Sequence, residues 1–122
     1  MAFKVVRSAA YLRDLALILD HLAGAYLEFG EPPSDAFDHA VRRIRSINAD
    51  VRSLGQAPYQ GTLRPELAPG LRQVTKNRAI FYFEIDEERA EVRVLAAFFG
   101  GQDHQRHMLM RLGAGSEPSI PQ

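Results

Sequence analysis

The chain has 122 residues, with fifteen Lys and Arg balanced by fifteen Asp and Glu, and no cysteine. That length suits one domain that buries its own core without staples. The lack of thiols excludes disulfides, Cys-ligated zinc and a thiol nucleophile. Zero formal net charge weighs against a dedicated nucleic-acid binder, whose affinity comes largely from counterion release at a cationic surface, but it leaves room for a local basic patch.

From the N-terminus, "FKVV" (Phe3 to Val6) is a short strand that must pair with another. Arg13, Asp14 and Asp20 interrupt the apolar run that follows, so it neither spans a bilayer nor reads as a signal-peptide core. A mature, cytoplasmic protein is expected. Ser8 caps a helix predicted from about Ala9 to Phe29, with Leu12, Leu15, Leu19, Leu22, Tyr26 and Phe29 as its apolar stripe. Gly30 suits a left-handed C-terminal position, and Pro32 and Pro33 bar continuation. Ser34 is placed to cap a second helix with the stripe Phe37, Val41, Ile44, Ile47 and Val51, ending near Gly55. So short a connection predicts an antiparallel helical hairpin.

"GQAPYQGTLRPELAPG" reads as loop. Beyond it the period falls to two. "LRQVT" (Leu71 to Thr75), "AIFYFEI" (Ala79 to Ile85) and "VRVLAAFF" (Val92 to Phe99) are strands, and the continuous apolarity of the last predicts burial on both faces. A final helix starts at about Asp103 and runs to Leu112, and residues 113–122 read as a disordered tail. The order β-α-α-β-β-β-α is an α+β domain over residues 1–112, an antiparallel-rich sheet packed by the helical hairpin.

The chemistry-bearing groups are sparse. His104 and His107 lie three apart on a helix beside Asp103, but a stable metal site needs about three protein ligands, and Asp103 has a simpler use as a helix cap. Gly100-Gly101 lacks the spacing of a phosphate-binding loop and serves a sharp turn. Neither metal nor cofactor is expected. Arg72 and Lys76 share a face in an alternating strand, and with Arg78 they make a basic patch that suits RNA phosphate or an acidic partner.

One long stretch, "PELAPGLRQVTKNRAIFYFEIDEERAEVRVLAAFFGGQDHQRHM", resembles the RelE/ParE superfamily of toxins from type II toxin–antitoxin (plasmid stabilisation) systems. The likeness lies in a strand arginine, a basic residue opening an aromatic-rich strand, an acidic turn, and a last strand closing into Gly-x-x-Asp, here Gly100 and Asp103. It extends from Phe3 to about Leu112. The resemblance implies a cognate antitoxin as partner and one of two actions. RelE-like members cut mRNA on the ribosome without a metal, using basic residues and often a tyrosine. ParE-like members inhibit DNA gyrase without hydrolysis.

Arg78 matches the family's basic strand residue. Gln102 stands where an arginine is usual, Met108 about where the nucleases place tyrosine, and Phe99 where many ParE-like members have histidine. A ribose hydroxyl needs a base and the developing phosphorane needs cations, so these departures favour the ParE-like branch. If the chain is a nuclease, Arg72, Arg78, His104 and His107 are its candidate catalytic residues. Otherwise Arg72, Lys76, Arg78, Gln102, Asp103, His104 and His107 are candidate target contacts. Tyr11, Leu15, Tyr26 and Phe29 are the candidate antitoxin groove. A homodimer, and a degenerate member that binds antitoxin but poisons nothing, are the remaining alternatives.

Overall fold

The structure, a computed structural model, describes residues 2–100 and 103–116. The elements are β1 (Lys4–Arg7), α1 (Ala9–Glu28), α2 (Pro33–Gln56), β2 (Thr62–Leu63), β3 (Arg72–Lys76), β4 (Ala79–Asp86), β5 (Glu91–Phe99) and α3 (His104–Ser116). The five strands form one sheet in the order β1-β5-β4-β3-β2. β1 pairs with β5 in parallel, and the other neighbours are antiparallel. The α+β architecture matches the sequence expectation, with the two-residue strand β2 added inside the long loop.

The helical pair covers one face of the sheet. Tyr11, Leu15, Ile18 and Leu22 of α1 and Ala40, Ile47, Val51 and Leu54 of α2 pack with Phe81, Phe83, Val92 and Val94. Each fully buried aliphatic or aromatic side chain here contributes about 2 kcal/mol of transfer free energy. Tyr11 hydrogen-bonds Asn48 at one end of the pair, and Tyr26 stacks on His39 at the other, so the helices run antiparallel. The buried stripe of α1 is rotated from the expected one. Leu15 and Leu22 are inside, but Tyr11 and Ile18 replace Leu12 and Phe29, which face solvent. Phe37 of α2 likewise faces out, and Ala36 and Ala40 take the contact, because small side chains let the helices approach closely.

The caps are mixed. Ser8 accepts from the Tyr11 amide, as the sequence predicts. Ser34 does not cap α2: Pro32 is the N-cap and Pro33 opens the helix, a position where a missing N–H costs nothing. Gly30 has φ +95°, the left-handed conformation that ends α1.

A β-bulge in β5 sets up both faces. Tyr82 faces Ala96 and Phe83 faces Val94, so Leu95 is the extra residue. Val92 and Val94 point to the helical pair before the bulge and Ala97 after it, while Ala96 and Phe98 point to the opposite face. There α3 lies over Leu71, Ile80, Tyr82 and Phe98, inserting Met108, which is 1% exposed. β5 is therefore covered on both sides. α3 continues through Ser116, past the expected end at Leu112, and the rest of the predicted tail, 117–122, lies outside the described residues. No helix of the described residues is long and apolar enough to cross a membrane.

Candidate functional site

The sheet separates groups that adjoin in sequence. Arg72, Val74 and Lys76 alternate onto the face of the helical pair, opposite Phe83, Phe81 and Ala79. Arg72 does not project freely. Its guanidinium lies over the Tyr59 ring at 5.5 Å, and Nη1 donates to the Tyr59 carbonyl at 2.9 Å. Tyr59 in turn donates to Glu87. Arg72 thus ties the segment after α2 to the sheet.

Arg78 occupies the β3–β4 turn with Asn77, at φ +71° and +50°, the left-handed pair that a tight hairpin requires. Its guanidinium sits 6.0 Å from the Phe99 ring centroid, and Arg43 of α2 is at 5.5 Å from the same centroid. Arg43 also donates to the Asn77 carbonyl at 2.6 Å. Two cations therefore gather around one aromatic ring at this end of the sheet.

The histidines belong to α3, on the other face of the sheet. Asp103 accepts from the Arg106 amide at 3.3 Å, the capping role expected of it. His107 stacks on Phe98, with centroids 6.1 Å apart. His104 Nδ1 is 2.8 Å from the Tyr82 hydroxyl. Arg64 stands beside this pair, held by three acceptors: Nε donates to Glu66 at 2.6 Å and Nη1 to Gln73 at 2.7 Å. The Gln105 amide, oriented by its hydrogen bonding, accepts from Nη2 at 2.9 Å.

Burial raises the pKa of the Tyr82 phenol, so it keeps its proton. Burial, and then the charge of Arg64, lowers that of His104, so the imidazole is neutral near pH 7. A buried O–H must find an acceptor, and the one it meets is Nδ1. With the phenol as donor, Nδ1 accepts and the imidazole proton sits on Nε2. In that tautomer His104 presents its Nε2–H as a hydrogen-bond donor.

Tyr82, Arg64, Glu66, Gln73 and Gln105 were not singled out by sequence reasoning. Arg64 and Glu66 lie in a segment read only as loop, and Tyr82 looks like a core aromatic until its alternation partner Gln73 is known. Gln102 lies outside the described residues. Of the groove candidates, Tyr11 and Leu15 are core side chains, Tyr26 is half-buried against His39, and Phe29 is exposed. Among the described residues no three His, Cys, Asp or Glu side chains are grouped to hold a metal ion.

A further polar centre joins α1 to α3. Arg111 donates from Nη1 and Nη2 to the two oxygens of Asp14, each at 2.9 Å, and Asp14 also accepts from the Ala97 amide at 2.9 Å. Asp14 is buried, and Arg111 lies over Phe98 at 5.3 Å. A cavity of about 270 Å³ opens beside this clasp between the two helices.

No protein-family model and no curated protein matches the sequence. Solved structures do match. A chain of the chromosomal ParDE toxin–antitoxin system from P. aeruginosa aligns with a TM-score of 0.61 at 22% identity, over 80% of this chain and 96% of that one. A chain of the toxin–antitoxin complex RelBE2 from Mycobacterium tuberculosis aligns at 0.58 and 19% identity, over 84% and 95%. A mutant of the E. coli toxin RelE in the free state aligns at 0.57 and 9% identity, over 91% and 97%. On that structural likeness, the chain has the RelE/ParE toxin fold.

Proposed function

We propose that this chain is the toxin of a type II toxin–antitoxin system, of the ParE-like kind, which arrests growth by occupying a target such as DNA gyrase and is neutralised by a cognate antitoxin. Its likeness in fold to chains of the ParDE and RelBE2 systems supports the toxin–antitoxin part. The observation that carries the non-enzymatic part is the state of His104. Its Nδ1 is engaged by Tyr82, so the ring lacks an acceptor for a ribose hydroxyl proton. Met108, where a nuclease would place a phenol, is buried apolar packing. Arg72 is committed to Tyr59.

Expression without antitoxin tests this reading. Growth arrest with inhibited gyrase supercoiling and intact mRNA is the expected result. Unimpaired growth would instead leave a degenerate member that binds antitoxin and poisons nothing.

A second reading, a metal-independent ribosome-dependent endoribonuclease, is favoured by one fact. Arg64, a fixed cation, stands beside His104. That reading requires the imidazole to reverse its tautomer. It predicts A-site cleavage of translated mRNA that is lost in His104→Ala and Arg64→Ala.

A further inference from the structure

The outer side of α2 carries a row of arginines. The helix buries Ala40, Ile47, Val51 and Leu54. At about 3.6 residues per turn, Arg42, Arg45 and Arg52 fall within an arc of about 80° opposite that buried stripe, and they span about 15 Å of helix axis. All three are exposed. Arg7, Arg43, Arg64, Arg72, Arg93 and Arg111 each donate to an acceptor elsewhere in the chain. Arg42, Arg45 and Arg52 have no hydrogen bond or ion pair to a described residue. Asp50, the acidic residue within their span, faces the β3–β4 turn, where it accepts from Asn77 Nδ2 at 2.8 Å. Arg43 is drawn the same way, to the Asn77 carbonyl. The row therefore keeps one sign. A solvated helix face gains from opposite charges three or four residues apart, and like charges so placed repel.

We propose that this row seats the chain on the phosphate backbone of duplex DNA, without reading base sequence. Three guanidinium groups on a stiff helix meet a regular array of phosphates, and each contact releases condensed counterions. What lies between the arginines disfavours a protein partner. Protein interfaces centre on buried apolar or aromatic anchors, whereas Ser46 and Ala49 are the exposed residues among these arginines. A single strand is disfavoured as well, because unpaired bases bind by stacking on rings, and residues 41–56 include no aromatic side chain. Asp35 and Asp38, exposed on the first two turns of α2, repel phosphate, so the duplex lies against the C-terminal half of the helix. Zero net charge over the whole chain makes this a weak, salt-sensitive grip, unlike that of a dedicated binder. The inference stands apart from the toxin reading, since it requires neither an antitoxin nor an inhibited target.

The test is fluorescence anisotropy of the full chain with a labelled duplex of about 20 base pairs, titrated over a range of salt concentrations. Saturable binding is expected at about 50 mM salt, and the logarithm of the affinity should fall against that of salt with a slope of about −2.7, the value for three phosphate contacts. Arg42→Gln, Arg45→Gln and Arg52→Gln should each reduce that slope by about 0.9. The triple variant should bind at least about tenfold more weakly, with an unchanged melting temperature because the side chains are exposed and unpartnered. Arg106→Gln, at an exposed position on α3, should bind as the parent does. No binding at about 50 mM salt, or a loss in Arg106→Gln equal to that in the triple variant, would overturn the proposal. So would tighter binding of a single strand or of double-stranded RNA. Equal binding of poly-glutamate would give the row to an acidic protein instead. Growth arrest is scored separately: harmless expression with DNA binding would sink the toxin reading alone, and arrest without DNA binding would sink this inference alone.

Discussion

Arg111 and Asp14 meet as a two-pronged ion pair, 2.9 Å on each prong, that joins the last helix to the first across 97 residues of sequence. The same carboxylate closes the edge of β5 through Ala97 N–H. α3 inserts few apolar side chains, chiefly Met108, while Leu109 and Met110 face solvent. The polar clasp therefore matters more to its docking than a surface pair would. Arg111→Ala should cost about 2 kcal/mol in urea unfolding, below the usual loss for a fully buried pair because Arg111 is 35% exposed. Asp14→Ala should cost at least as much, since it also strands the Ala97 amide.

Two glycines predict opposite signs. A Cβ on Gly55 would lie 2.5 Å from the Phe3 carbonyl oxygen, and the Phe3 amide donates to the Gly55 carbonyl at 2.7 Å. The absent side chain lets the end of α2 hold the chain entering β1. Gly55→Ala should therefore destabilise by about 1–3 kcal/mol through overpacking. Gly24, inside α1, has nothing within 4 Å of its Cβ position. Gly24→Ala should stabilise by about 1 kcal/mol, the ordinary helix-propensity gain. Thermal melts of the two variants should bracket the parent.

Much of this fold is written in local pattern. The Ser8 cap, the left-handed Gly30 and the strand alternation from Leu71 to Phe99 depend on neighbours in sequence, and they fall where the residues say. What escapes is set by long-range packing. Leu12 and Phe29 fit the helical period as well as Tyr11 and Ile18 do, and only the sheet beneath chooses between the two stripes. The bulge at Leu95 reverses the inward parity of β5, so Ala97 turns toward Asp14, and no local composition marks it. The candidate site suffers most. Arg72 and Lys76 do share a face, as alternation requires, but the histidines lie across the sheet from them. Arg64 reaches His104 from a segment whose prolines and glycines conceal any structural role.

The Tyr82–His104 contact gives a pH dependence with a definite sign. Burial and Arg64 lower the folded-state pKa of His104 below its unfolded value, so the unfolded chain binds the proton more readily. This contribution is fully present above the unfolded pKa, about 6.5. It is lost as pH falls from there toward the depressed folded value. Stability measured by urea midpoint should therefore decline below about pH 6.5 in the parent. In His104→Gln, which cannot titrate, this part of the decline should vanish. A His104→Gln profile parallel to the parent's would show that other groups cause the fall.

The groove candidates should separate by burial when tested against an antitoxin. Tyr11 shares Asn48 with Arg7: its hydroxyl donates to Asn48 Oδ1 at 3.0 Å, and Arg7 Nε does so at 2.9 Å. Burial pushes its phenol pKa up to about 12, against a smaller opposing effect of Arg7. Tyr11→Phe should cost about 1 kcal/mol of stability, the worth of one hydrogen bond. Leu15→Ala should cost about 2–5 kcal/mol as a core truncation. Both should alter antitoxin affinity only through that loss of folded protein. Phe29 is 86% exposed. Phe29→Ser should change stability by less than about 0.5 kcal/mol. If the open end of the hairpin belongs to the antitoxin surface, the same change should weaken binding at least tenfold by calorimetry. Unchanged affinity would move that surface away from Phe29, toward the slot between α1 and α3, where Leu17 rather than Phe29 supplies the exposed apolar contact.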